Sequence, residues 1–330
     1  MTFIKGDCSM ELSAKQKRRL FYYIIESRVY QVSDHLPRRF YVRSSYGKRP
    51  ILSTEDGRKE IVRGVLQGDP FMIGRYGTSE GRALSEYYMI KAGLKKQYSK
   101  LTRHELCCNA GFFPNTTSAI NRWAELLTDL SPLCDVLGVM NFFCEGWIVE
   151  NICNNPILMP NGGVGSAKYG YTHCLEGKKV LVIHPMTNTI EHQYYNHRED
   201  IFPGTNSLPK FDLQTMKAVN TQADATDSRF KDWFEALDYM TDEVKKRDFD
   251  VAIVGCGAYG FPLAARIKQM GKIAIHMGGS VQYLFGIKSA RSDTLPYFRD
   301  IYTDSWIYPD ESDRPLGSEK VENGCYWKPL

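Results

Sequence analysis

The chain has 330 residues, of which 43% are hydrophobic, 24% charged and 12% aromatic, with 27 Gly and 15 Pro. That length buries a sizeable core, as one large α/β domain or two average ones, and the composition excludes disordered and fibrous classes. Forty-two Lys and Arg against 38 Asp and Glu leave a net charge of +4, too mild for a nucleic-acid partner without clustering; the short basic stretches at 15–19 and 245–247 read as wet helix faces.

Residues 1–17 hold charges but no continuous apolar run, so no secretory signal is expected there. A helix is predicted over 12–31: Ser13 and Gln16 have capping-box spacing, and Leu20, Tyr23, Ile24 and Val29 share one face. A polar stretch rich in Arg, Ser and Gly runs on to about Lys59, and residues 1–67 are taken as an N-terminal helical appendage. From there strands and helices alternate. A strand at 70–76 leads into a helix carrying Leu84, Tyr87 and Tyr88. A second helix aligns Ile120, Trp123, Ala124, Leu127 and Leu130, with the sequon-like Asn115, Thr116 and Thr117 as its cap, and a buried strand covers 135–140. A loop at 161–165 precedes a strand at 178–184. The run Phe230, Trp233, Phe234, Leu237, Met240 and Val244 marks a helix, followed by a strand at 250–254, a helix at about 262–270 and a strand at 272–276. This alternation predicts an α/β fold, a Rossmann-like and mostly parallel sheet with helices on both faces, over 68–330.

The most apolar stretch, 136–149, is broken by Asn141 and Glu145 and falls short of the ~20 apolar residues that cross a bilayer, so no transmembrane segment is expected. Nine cysteines without C-x-x-C spacing read as reduced thiols, several of them in the core, of a cytoplasmic protein.

The sharpest local signal is an apolar strand, Val251 to Val254, running into Gly255, Gly257 and Gly260 in G-x-G-x-x-G spacing and then a helix. Such a turn brings free amides and the positive end of a helix against a phosphate. The alternative is a tight turn with nothing bound. A dinucleotide enzyme also needs an acid at the tip of the next strand, which here reads His276, Met277, Gly278, Gly279 and Ser280, so an NAD- or FAD-dependent oxidoreductase is the runner-up to another phosphate-bearing ligand. A methyltransferase lacks the same acid. Gly278, Gly279 and Ser280 form a second small-residue turn, with Lys288 and Arg291 close behind to neutralise a diphosphate. At the first strand's carboxyl end stand Arg75, Tyr76, Gly77, Thr78, Ser79 and Glu80. Glu80 suits a divalent cation, a base, or simply the start of its helix. His184 ends the 178–184 strand at the same edge, whereas His192 and His197 are not spaced as metal ligands. Asp248 and Asp250 precede their strand and so belong to the opposite edge, and the acidic residues 310–313 lie in a Pro-rich tail.

Three of these segments together, 75–80, His184 with Pro185, and 257–288, resemble a group of bacterial polysaccharide-locus proteins related to the GT-D type glycosyltransferases; the likeness covers roughly 68–328. It implies a Rossmann-like domain that binds a nucleoside-diphosphate sugar and moves the sugar to a glycan or lipid-linked acceptor, with a divalent metal, Mn2+ or Mg2+. Glu80 and His184 are then the candidate catalytic residues, and Glu80 the metal ligand. Arg75, Gly77, Thr78, Ser79, Gly255, Gly257, Ala258, Tyr259, Gly260, Gly278, Gly279, Ser280, Gln282, Lys288 and Arg291 are the candidate donor-binding residues. The group's signature is Arg-aromatic-Gly-Asp-x-Glu; Arg75, Tyr76, Gly77 and Glu80 match it, and Thr78 stands where the Asp belongs. That departure leaves room for a non-catalytic nucleotide-sugar-binding module of the same fold.

Overall fold

The computed structural model describes residues 11–33, 43–141, 143–165, 168, 170–223, 227–315 and 317–328. Short runs rich in Val, Ile and Leu, each bounded by a turn, give the strands. A two-residue pair, β1 (Ser45–Tyr46) and β2 (Arg49–Pro50), is antiparallel. The remaining strands are β3 (Phe71–Arg75), β4 (Val136–Val139), β5 (Ile157–Pro160), β6 (Lys179–His184), β7 (Asp212–Lys217), β8 (Val251–Val254) and β9 (Ile273–His276). They form one seven-stranded sheet in the order β5-β4-β3-β9-β8-β6-β7, and every pairing in it is parallel.

A parallel sheet is covered on both faces, which is why β4, β8 and β9 are buried at every position. Alternate side chains of β8 divide between the two cores. Ala252 and Val254 join Leu84, Trp123, Leu237 and Leu263 on one side. Val251 and Ile253 join Ile61, Ile190 and Val182 on the other. The expected α/β architecture is therefore present, with element ends moved by a few residues.

Several elements were not foreseen, the helices Glu145–Asn151 and Thr187–Ile201 among them, and three of these are instructive. β5 and β7 are the sheet's two edges. β5 is only four residues ending in Pro160, and β7, whose outer positions are Asp212, Gln214 and Thr215, lacks the apolar run of a central strand. The third is the helix Thr54–Gln67, inside the stretch read as polar to about Lys59. It starts at Ser53, whose side chain accepts from the Asp56 amide, and buries Ile61 and Val65. The segment 161–165, expected as a loop, contains the helical turn Asn161–Val164.

The first helix, Ala14–Ser33, has the expected reciprocal cap between Ser13 and Gln16. Leu20 and Tyr23 pack into the core, the Trp147 indole donates to the Gln16 carbonyl at 3.0 Å, and Arg19 pairs with Glu150 at 2.7 Å. Part of the polar stretch that follows lies outside the described residues. The Thr116 hydroxyl caps the helix Thr117–Leu130, as the sequence predicts, and the helix expected from Phe230 on runs over Trp233–Lys245 with Asp232 as its cap. Asp248 pairs with Lys179, and Asp250 accepts from the Lys179 amide. Both therefore lie at the amino edge of the sheet. Among the described residues eight cysteines are free thiols, all buried but Cys325, and no helix is long and apolar enough to cross a membrane.

The chain leaves β6 towards the β7 edge through the helix Thr187–Ile201, and leaves β8 in the opposite direction through Gly260–Gln269 to reach β9. Adjacent strands whose connections diverge open a crevice at their carboxyl ends. Trp147→Ala, which removes a fully buried indole holding the first helix, is expected to cost about 3–5 kcal/mol. Urea unfolding with an unchanged m-value checks it.

Candidate functional site

A cavity of about 690 Å³ lies at the carboxyl ends of β3, β6, β8 and β9, within the size range of small-molecule sites. Most of the residues singled out from the sequence meet there.

Arg75 closes β3, and Gly77 is the N-cap of the helix Thr78–Lys91 without a side-chain cap. The Glu80 carboxylate takes the place of a cap, accepting from its own backbone amide in the first turn. Thr78, Ser79 and Glu80 all line the cavity. The Glu80 carboxylate folds back over Gly77, so that any side chain at 77 would collide with it. Burial raises the Glu80 carboxyl above the usual carboxylate range, and the Arg75 guanidinium works against that rise. Tyr76 points the other way, stacking on Phe261 at 5.0 Å and donating to Ser131 at 2.6 Å.

The turn after β9 is built around Arg75. Gly278 has φ +59°, and its missing side chain leaves the space that the Arg75 guanidinium occupies. The amides of Gly278 and Gly279 have no protein acceptor among the described residues. Gly279 lies against the Tyr326 ring, and Ser280 against Gly165. Gln282 is buried and donates to the carbonyls of Ile287 and Lys288, both at 3.4 Å.

The G-x-G-x-x-G turn behaves differently from the phosphate loop its sequence suggests. The Ala258 amide donates to the Ala110 carbonyl at 2.9 Å, the Tyr259 amide to Cys256 at 3.3 Å, and the Gly260 amide to Gly257. Gly257, at φ +55°, admits that Ala110 oxygen, which lies 2.6 Å from where a Cβ would stand. The amides of Ala258, Tyr259 and Gly260 are therefore consumed by protein. Gly255, Gly257 and Tyr259 still line the cavity; Ala258 and Gly260 do not. Gly260 is instead the place where its helix meets the His276 ring. Lys288 is also outside, its ammonium 5.2 Å from the centre of the Tyr302 ring. Arg291 does line the cavity, bound to Glu322 and donating to the Tyr326 hydroxyl at 3.2 Å.

His184 reaches the cavity as a neutral ring. Its Nδ1 accepts from the Met186 amide at 3.2 Å, which places the proton on Nε2, and burial pushes its pKa down to about 3. Facing the cavity it is a hydrogen-bond donor, so of the two candidate bases only Glu80 has a basic atom to offer. Burial likewise keeps His276 neutral, near 3.

Sequence reasoning missed Arg58, Asn109, Asn161, Glu322 and Tyr326, which also line the cavity. No periodicity or motif marks them; they come from the unforeseen helix, from the segment that fills the glycine loop, and from the C-terminal tail. Met140 lines it too, and is held from behind. Glu145, 5% exposed, accepts from the Met140 and Asn141 amides at 3.0 and 2.9 Å and from the Tyr46 hydroxyl at 2.7 Å. Burial, outweighing these bonds and Arg43, pushes its carboxyl up to about 7.

Among the described residues no group of three or more His, Cys, Asp or Glu is placed to hold a metal ion. Glu322 is engaged by Arg291, which among the described residues lining the cavity leaves Glu80 as the one carboxylate without an ion pair within 4 Å. The donor set does not fit a protein-held Mn2+ or Mg2+.

No protein-family profile and no curated protein matches the chain. Two solved structures are similar to it. One is described as a selenomethionine-substituted domain of unknown function 1792, with TM-score 0.43 and 11% identity over 84% of this chain and 95% of that one. The other is the same domain, described as having a distinct glycosyltransferase fold, with TM-score 0.42 and 11% identity over 79% and 95%. At that identity and TM-score the likeness assigns no residue a role.

Two outcomes are expected. Gly278→Ala should displace Arg75 and weaken nucleoside-diphosphate binding at least tenfold in calorimetry, beyond the roughly 1 kcal/mol that a side chain in this backbone region costs. For Glu145 the folded pKa lies above the unfolded one, so its contribution to stability is full below about pH 4.5 and is lost as pH rises through about 7. Glu145→Gln should remove about 2–4 kcal/mol of that fall, read from urea unfolding at pH 4.5 and 8.

Proposed function

We propose that the cavity binds a nucleoside-diphosphate sugar and that the chain transfers the sugar to a glycan or lipid-linked acceptor, in the cytoplasm, in building a surface polysaccharide. The observation that carries this reading is the convergence on one cavity of the Arg75 guanidinium and the turn amides of Gly278 and Gly279, which have no protein acceptor among the described residues. These are donors and positive charge aimed at one place, which suits a diphosphate.

Sugar transfer breaks the bond between the anomeric carbon and the diphosphate, and negative charge grows on the departing oxygen. Donors fixed in advance stabilise that charge without reorganisation. Arg75, the turn amides and the His184 Nε2 proton are such donors. The acceptor hydroxyl forms the new glycosidic bond and gives up its proton. Glu80, beside Arg75 and with a raised pKa, is the group positioned to take it. The nucleoside diphosphate then leaves with the electron pair of the broken bond.

Thr78 in place of an aspartate favours one second reading, a module that binds the donor without turning it over. The same experiment separates the two. Glu80→Gln should lower the release of nucleoside diphosphate from a sugar donor by about 10²- to 10⁴-fold while leaving binding of the diphosphate itself within a few-fold. Release that is absent in the wild type despite donor binding supports the module, and release unchanged in the variant removes Glu80 as base.

A further inference from the structure

We infer that in this protein Arg75 carries the donor's diphosphate charge in place of a divalent cation, so that nucleotide binding is independent of metal. The inference rests on the donor-site reading above.

Each way of building a metal site here is closed by a specific residue. Thr78 offers a neutral hydroxyl where the GT-D signature has a carboxylate. The Glu80 carboxylate is folded over Gly77 at the start of its own helix. Glu322, the other carboxylate on the cavity, is bound to Arg291. A magnesium or manganese ion held by Glu80 alone would also have to stand beside the Arg75 guanidinium, and like charges in a partly desolvated site repel strongly.

Arg75 has what the task requires. It faces the cavity beside Glu80, whose carboxyl its charge holds down against the effect of burial, and a guanidinium in that place attracts a phosphate. Its planar fork matches two phosphate oxygens at once, which a point charge does not. Its position is fixed because it fills the space left by Gly278. A second guanidinium stands close: Arg291 donates to Tyr326, whose ring lies 2.9 Å from where a Gly279 side chain would be. Arg291 is itself paired with Glu322, so Arg75 is the guanidinium left to meet the diphosphate.

The test is calorimetric binding of UDP, GDP, ADP and dTDP to the full chain, once in EDTA and once in millimolar manganese. At least one nucleotide should bind, with a Kd that changes less than about threefold between the buffers. Arg75→Gln should weaken it by roughly 10- to 150-fold in both, the value of a charge-assisted hydrogen bond, and Arg75→Lys should fall between, since it keeps the charge and loses the fork. Melting temperatures close to the wild type's show that both variants are folded. Binding that manganese tightens more than tenfold overturns this inference and leaves the donor site standing. Undiminished binding by Arg75→Gln also overturns it. No binding of any of the four in either buffer overturns both this inference and the donor-site reading.

Discussion

The cavity depends on one close approach. The guanidinium at the end of β3 occupies the place where a side chain at position 278 would stand, and Gly278 adopts φ +59° to turn the chain there. β3 and β9 are neighbours with residue 73 opposite residue 275, so the two turns leaving them emerge side by side. Without the glycine the turn after β9 would push Arg75 out of the wall, and the amides of Gly278 and Gly279 would face a side chain instead of a cavity.

The other turns close around this one by similar means. A side chain at Gly255 would meet the Gly278 carbonyl at 2.6 Å and the His184 ring at 2.8 Å, so the ends of β6, β8 and β9 are drawn together at a single point. The G-x-G-x-x-G turn contributes shape more than donors. It holds its helix against His276 and accepts the segment ending at Ala110, which in turn brings Asn109 to the cavity. A glycine pattern of this kind records how near two backbones come, and whether the near partner is phosphate or protein is decided by a distant stretch of chain.

The sequence therefore carried the fold well and the site in part. Buried central strands such as β4, β8 and β9 announce themselves by composition, and helices such as Trp233–Lys245 by period and cap, because both signals are local. β7 escaped because an edge strand needs few apolar residues, and the helix Thr54–Gln67 because its buried face is only Gly57, Ile61 and Val65 within a charged segment. At the site, residues at strand ends were legible since the carboxyl edge of a parallel sheet is where ligands bind. Lys288 was misplaced although Arg291, a few residues on, was not, because spacing along an irregular segment does not say which side chain turns inward. Arg58, Glu322 and Tyr326 belong to elements far from the motifs, brought in by packing alone.

Charge around the cavity follows from that packing. The guanidiniums of Arg58, Arg75 and Arg291 and the carboxylates of Glu80 and Glu322 all line it. Glu322 and Arg291 offset one another, and Glu80 stands against Arg75, whose charge opposes the rise that burial gives its pKa. The tail that supplies Glu322 and Tyr326 is itself anchored: the Ala290 amide donates to the Trp327 carbonyl at 2.8 Å and the Arg291 amide to Cys325 at 2.9 Å. Further back, Asp313 caps the helix Thr187–Ile201 through the amides of Asn188 and Thr189. These anchors make the C-terminal segment part of the cavity wall, so its charges act at a fixed distance. Arg75, held in place by its close approach to Gly278, can meet an anion in the cavity with little reorganisation.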